Sequence, residues 1–170
     1  MVVAPATGGL GGAAVMVAIA VGATVIAIGR NETTLIALAR KFEGRVKTVK
    51  ITGDVEKDAD ELKNASGGSI DAVFDIPPPT AAQSTHMKSC IAAIKNGGRI
   101  SLMGGIFEDI HIPYHVMVHK NLTLKGTRMY GRDGDQNGGD GNFEDRGAQR
   151  LENCGRLYIR WLGESFGCYR

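Results

Sequence analysis

The residues able to do chemistry stand near the start of the chain. Ala6-Thr7-Gly8-Gly9-Leu10-Gly11 follows a short apolar run, Val2-Val3-Ala4, and Pro5. It precedes an almost wholly apolar stretch from Ala13 to Ala20. A glycine pair spaced as Gly8 and Gly11 suits a loop that turns from a strand into a helix and cradles a dinucleotide's pyrophosphate. Gly8 has no Cβ to keep the backbone away from a diphosphate. Gly11 lets the helix pack close to the strand. Free amides near Leu10 to Ala13 would face the phosphates, and the helix dipole adds attraction. Ala6 stands where the strict pattern has its first glycine. Without a nucleotide, the same residues would read as a tight turn in an ordinary α/β domain.

The next apolar run, Val25-Ile26-Ala27-Ile28, refines the expectation. An NAD site often places Asp or Glu about 20 residues beyond the loop, on the ribose hydroxyls. Here Gly29 stands 18 residues after Gly11, and Arg30 and Asn31 follow. Without the acid there is no repulsion toward a 2′-phosphate, and Arg30 can offer that phosphate a charged fork. NADP(H) is therefore expected over NAD(H); otherwise Arg30 is a solvated surface charge. Later strand ends would line the same crevice. Thr52, Gly53 and Asp54 fall near an adenine edge. Ile76 and Pro77, then Gly104 and Gly105, would flank a nicotinamide. Asp75 could be a site carboxylate, although such an Asp more often caps or hydrogen-bonds locally.

Other chemistries are poorly supported. His86, His111, His115, His119 and three cysteines lack the compact spacing of a structural zinc site, so no zinc is expected in this chain. His115 and His119 can share a helical face, but no HExxH pattern accompanies them and they read as a surface pair. Cys90 lies beside Ile91 and Ile94, as core packing would have it. Local sequence suggests no Ser-His-Asp or Cys-His pair, and no catalytic residue is assigned.

Alternating strands and helices must position these residues. Gly22 ends the first helix. Asn31 can cap a helix through about Phe42. Val46–Ile51 alternates as a strand nearer an edge would. Asp54 can cap a charged helix containing Leu62, closed by Gly67-Gly68. Ile70–Asp75 is a strand stopped by Pro77-Pro78-Pro79. Thr80 can cap a helix through about Lys95, closed by Asn96-Gly97-Gly98. Arg99–Met103 is a fifth strand, Pro113–His119 a short helix and Asn121–Lys125 a sixth strand. The pattern predicts an α/β fold with a doubly wound, parallel six-stranded sheet, the Rossmann arrangement in order 3-2-1-4-5-6. Residues 1–130 form the expected dinucleotide-binding domain. Residues 131–170 hold 9 of the 24 glycines and read as an irregular, partly disordered tail.

Composition sets the outer limits. A length of 170 residues suits one domain of ordinary size. The formal net charge of +2 argues against a dedicated nucleic-acid binder. Three cysteines make no disulfide framework, so a reducing, cytoplasmic setting is expected. Met1 to Gly29 lacks charge, but Pro5 and its many glycines break any spanning helix, so no membrane partner is expected.

The run Val3-Ala4-Pro5-Ala6-Thr7-Gly8-Gly9-Leu10-Gly11-Gly12-Ala13-Ala14-Val15 resembles the cofactor loop of medium-chain, zinc-type alcohol dehydrogenases and their quinone-reductase-like relatives. Val25 to Asn31 resembles the second strand of fungal-type members. Ile70–Asp75, Gly97–Gly105 and Asn121–Gly126 match later strands in order. The resemblance covers about Met1 to Tyr130. It implies a cofactor-binding domain for hydride transfer between a nicotinamide and an alcohol or carbonyl carbon. Family members are about twice this length, with a GroES-like domain that carries the zinc ligands or substrate pocket. That domain is not in this sequence, and the tail after Tyr130 does not follow the family, as in a truncated or frame-shifted product. A small alcohol, aldehyde or ketone is then a partner only if a catalytic domain is supplied. Exposed apolar surface and possible homo-oligomers are expected. A non-catalytic dinucleotide-binding or sensor module is the alternative. A methyltransferase fits less well, because Gly29 supplies no acid for the ribose.

Overall fold

In the computed structural model, residues 1–42 and 44–126 are described, and the expected tail lies outside the described residues. Six strands carry the apolar runs: β1 (Val2–Ala4), β2 (Val25–Gly29), β3 (Val46–Lys50), β4 (Ala72–Asp75), β5 (Arg99–Leu102) and β6 (Thr123–Gly126). All neighbours are parallel, and the order is β3-β2-β1-β4-β5-β6. Burial follows that order. Every residue of β1, β2 and β4 is buried, β3 buries only Val46 and Val49, and β6 at the edge is largely exposed. Centre strands covered on both faces must be apolar throughout, whereas an edge strand need not be.

Five helices connect the strands: α1 (Gly9–Ala20), α2 (Glu32–Lys41), α3 (Val55–Ser66), α4 (His86–Ala93) and α5 (Tyr114–His119). The expected caps form. Asn31 Oδ1 accepts from the Thr34 amide at 3.1 Å. Asp54 Oδ1 accepts from the amides of Glu56 and Lys57 at 3.0 and 3.1 Å. Such caps satisfy amides that a helix start leaves without partners. Gly22 and Gly67 close their helices at φ +93° and +68°, where a side chain would be strained.

One core cluster joins Ile26, Ile28, Val73 and Ile100 of the sheet to Ala59 and Leu62 of α3 and to Met87, Cys90 and Ile91 of α4. Cys90 is fully buried in it, as expected, and burial pushes its thiol far up. The helix α1 buries Gly11, Ala14, Val15 and Ala18, a single stripe at i, i+3, i+4 and i+7. Its outer side leaves Leu10 and Met16 about half exposed, although their sequence reads as apolar.

The fourth helix departs from expectation. It starts at His86, not after Thr80, which lies in a single 3-10 turn, Pro79–Ala81. The three prolines hold the chain extended as it leaves β4, with Pro78 at φ −72°, ψ 164°. The helix begins only where His86 turns into the core, 3% exposed. At the other end, Lys120 Nζ donates to the carbonyls of Ile91, Ala92 and Ile94 at 3.1, 2.8 and 2.8 Å. A cation there satisfies final carbonyls and complements the helix dipole.

Candidate functional site

In this strand order the chain runs outward from β1 to β3 on one side and from β4 to β6 on the other. A crevice therefore opens at the carboxyl ends of β1 and β4, where the winding reverses. Backbone bonds stitch its floor together. The Ala6 amide donates to Ile28 O at 2.7 Å, Ile76 to Ala4 O at 2.6 Å and Met103 to Asp75 O at 2.8 Å.

The loop from β1 enters α1 at this edge. Gly12 N–H already bonds to Gly8 O at 2.8 Å, so the amides without an intrahelical acceptor are those of Gly9, Leu10 and Gly11. The expected window of Leu10 to Ala13 is thereby shifted towards the N-terminus, because the helix starts at Gly9. No side chain caps this end. A Cβ added at Gly8 or Gly9 would meet no atom of the described residues within 4 Å, so among these residues both face open space. Gly11 is the opposite case. A Cβ there would lie 2.1 Å from Pro5 O and 2.8 Å from Ala6 Cα. The open glycines permit approach from outside, and the closed one lets α1 seat on its strand. An uncapped helix start behind an open, Cβ-free loop can hold a phosphate group.

Thr7 and Gly29 belong together. A Cβ on Gly29 would lie 2.5 Å from Thr7 Cγ2 and 3.0 Å from its Oγ1. The missing acid at position 29 therefore has a packing cause as well as any electrostatic one. Arg30 beyond it is exposed, and among the described residues no hydrogen bond or ion pair ties its guanidinium down. Lys50, in register with Gly29 across the sheet, is bound to Glu32 at 2.9 Å. Asn31 and Asp54 are placed at the same edge, but both spend a side-chain oxygen on a cap.

The sequence motifs do not single out Asp58. Only 2% exposed, it accepts from Thr52 N at 3.0 and 3.1 Å, Thr52 Oγ1 at 2.6 Å and Gly53 N at 3.3 Å. It ties the loop after β3 in place from the first turn of α3, with Gly53 at φ +97°. Its spacing before Leu62 was the available signal, since both share one helical face. Replacing Asp58 with Ala would strand three donors, Thr52 N, Thr52 Oγ1 and Gly53 N. A stability loss of about 2–4 kcal/mol is expected, measured by denaturant unfolding. An unchanged midpoint would contradict this role.

On the far side of the crevice, Ile76 is buried and its amide is bonded to Ala4, so only its carbonyl remains for other partners. Gly104 packs on the Pro77 ring, where a Cβ would come within 2.3 Å, and Gly105 N–H bonds to Pro77 O at 2.8 Å. Asp75, at the end of β4, does not bond locally. Its Oδ1 lies 2.8 Å from His86 Nε2, and His86 Nδ1 lies 2.7 Å from Ser84 Oγ. Both Asp75 and His86 are nearly sealed from solvent. Burial pushes the Asp75 carboxyl above its ordinary value, against the opposing pull of the His86 hydrogen bond. Local sequence suggests no such grouping, because the turn before α4 brings together residues that are 9 and 11 positions from Asp75.

His115 and His119 do share a face of α5, with ring centroids 6.5 Å apart. Among the described residues, no group of three or more His, Cys, Asp or Glu could hold a metal ion. No helix among them is long and apolar enough to cross a membrane.

The family model for zinc-binding dehydrogenases matches residues 9–138. The chain belongs to this family. The zinc of the family's description has no ligand set among the described residues. Among solved structures, an NAD-dependent alcohol dehydrogenase is 24% identical, with a TM-score of 0.60 over 92% of this chain and 40% of its own. A mycobacterial quinone oxidoreductase is 16% identical, with a TM-score of 0.62 over 92% of this chain and 45% of its own. TarJ of S. aureus, in complex with NADPH, is 16% identical, with a TM-score of 0.54 over 91% of this chain and 39% of its own. At these identities the likeness is one of fold. The chain spans less than half the length of each of them. No curated protein matches the sequence.

Proposed function

We propose that residues 1–130 are the dinucleotide-binding domain of an alcohol dehydrogenase-like oxidoreductase, with NADP(H) preferred over NAD(H). One observation carries the reading: the uncapped start of α1 stands at the reversal point of the sheet behind two open glycines. Thr7, Gly8, Gly9, Leu10 and Gly11 would wrap the pyrophosphate, with the amides of Gly9, Leu10 and Gly11 as donors. Gly29, Arg30 and Asn31 would face the 2′-phosphate, and Asp54 would lie by the adenine. Ile76, Gly104 and Gly105 would border the nicotinamide through their backbones. When bound, the dinucleotide would supply hydride chemistry towards a small alcohol, aldehyde or ketone, while the protein binds and orients it. TarJ, a structural neighbour of low identity, is known in complex with NADPH.

The cofactor preference has its own test. Arg30 is exposed and, among the described residues, unencumbered, so its charge would be available to a 2′-phosphate. Arg30→Glu is expected to weaken NADPH at least tenfold, about 1.4 kcal/mol, and to leave NADH within about twofold. Fluorescence titration with both nucleotides, and with S-adenosylmethionine as a control, measures this. Equal affinity for NADPH and NADH in the unaltered chain would contradict the preference. Tight binding of S-adenosylmethionine would contradict the cofactor class.

A further inference from the structure

The short helix α5 has an inner and an outer side. Val116 and Met117 pack against the core cluster of the sheet and α4, while His115 and His119 stand exposed. Their i, i+4 spacing sets the two imidazoles one turn apart on one face. The ring centroids lie 6.5 Å apart, with the planes at 74°. A metal ion bound by one nitrogen of each ring, at about 2.0–2.1 Å, holds the centroids roughly 4.5–5 Å apart. Rotation of two exposed side chains closes that gap without moving the backbone. The next residue does not oppose a bound cation, because Lys120 commits its ammonium to the carbonyls of Ile91, Ala92 and Ile94. His119 also lies in the last turn of α5, at the end of the helix dipole that favours positive charge. From there the chain enters the amino end of β6, and Lys120 O accepts from Gly97 N–H just ahead of β5 at 2.7 Å. His119 thus stands towards the amino ends of the strands, the opposite edge from the dinucleotide crevice.

We propose that His115 and His119 chelate a late first-row divalent metal ion, copper(II) above all, on the outer face of α5. Two imidazoles on one side leave the other coordination positions to water, a set that suits the tetragonal N,O geometry of copper(II). It is not the closed four-ligand set of a structural zinc site, and among the described residues no third His, Cys, Asp or Glu joins the pair. The general order of divalent affinities then places copper(II) above both nickel(II) and zinc(II). Magnesium, which takes oxygen ligands, does not bind there. The ion ties together residues one turn apart. A helix of 6 residues has little stability of its own, so the chelate holds the segment that leads into β6. The site does not depend on the dinucleotide reading and stands without it.

Calorimetric titration of the full, metal-free chain with copper(II) chloride, in a buffer that does not bind metal, tests the chelate. A single saturable site per chain is expected. His115→Asn and His119→Asn should each weaken it at least roughly tenfold, because two ligands joined on one helix act as one clamp. His111→Asn should leave it unchanged. Electron paramagnetic resonance should show two imidazole nitrogens on the copper in the parent and one in either single variant. Both positions are exposed, so the variants without metal should melt within a few degrees of the parent. Copper(II) should raise the melting temperature of the parent and not that of the double variant. Two ions per parent chain, falling to one at unchanged affinity in each single variant, would reveal independent histidines and overturn the chelate. Undiminished copper binding by the double variant, or zinc(II) binding tighter than copper(II), would overturn it as well.

Discussion

Gly8→Val is expected to weaken NADPH more than a hundredfold and to leave the fold standing. The two halves of that result have separate causes. Gly8 has extended backbone, φ −97° and ψ 169°, which valine adopts readily. A Cβ there meets no atom of the described residues within 4 Å. The structural cost is thus limited to a poorer residue before the first helical turn, about 1 kcal/mol or less. Binding is a different matter. On the proposed reading, the space left open by the described residues is the one through which a pyrophosphate would reach the amides of Gly9, Leu10 and Gly11. Branched methyl groups placed there hold the anion away. Hydrogen bonds to a charged group contribute about 1.5–3 kcal/mol each, so losing one or two suffices for a hundredfold effect, about 2.7 kcal/mol. A melting curve paired with an NADPH titration measures both halves. Retained affinity would count against the loop, and a collapsed melting temperature would count against the described geometry.

Gly11→Val is expected to give the reverse pattern, with the fold itself failing. Three positions away, the added Cβ would sit 2.1 Å from Pro5 O and 2.8 Å from Ala6 Cα. Those are backbone atoms of the segment that leaves β1, so no rotamer change relieves the contact. The helix must lift from the sheet, opening the stripe of Ala14, Val15 and Ala18. Overpacking typically costs 1–3 kcal/mol, and backbone against backbone places this change at about 3 kcal/mol or more. That is a large part of the 5–15 kcal/mol that holds a domain folded. Even Gly11→Ala carries the same first atom and should lower the melting temperature by roughly 10 °C or more. An alanine variant as stable as the parent would show that α1 does not sit where it is described. The contrast between two glycines of one loop is sharper than either result alone.

The fold was legible because local and global signals agreed. Three punctuated apolar runs, Val2–Ala4, Val25–Ile28 and Ile70–Asp75, became the buried centre of the sheet. Asn31, Asp54 and Gly22 did as caps what their chemistry predicts. Thr80 misled, because a good capping residue cannot start a helix where three prolines hold the chain extended and the nearest core anchor, His86, lies six residues on. The glycine loop was legible as a motif, while the division of labour between its open and closed glycines required coordinates. Gly29 shows the limit most clearly. Its lack of a side chain reads as cofactor selection, yet Thr7 fills the space a Cβ would need. The Asp58 and Asp75 contacts were out of reach. A buried carboxylate is defined by what folds against it, and neither Thr52–Asp58 nor Asp75–His86 follows a spacing rule.

The central claim is that peptide nitrogens at the start of α1 hold the diphosphate of a pyridine nucleotide. Titration of the nitrogen-15-labelled chain with NADPH, followed amide by amide, tests it most directly. The account predicts saturable binding, with the largest shifts at Gly9, Leu10 and Gly11 and smaller ones at Gly29 and Arg30. Folded protein that shows no saturation at millimolar NADPH, or that saturates while those three amides stay still, would contradict it.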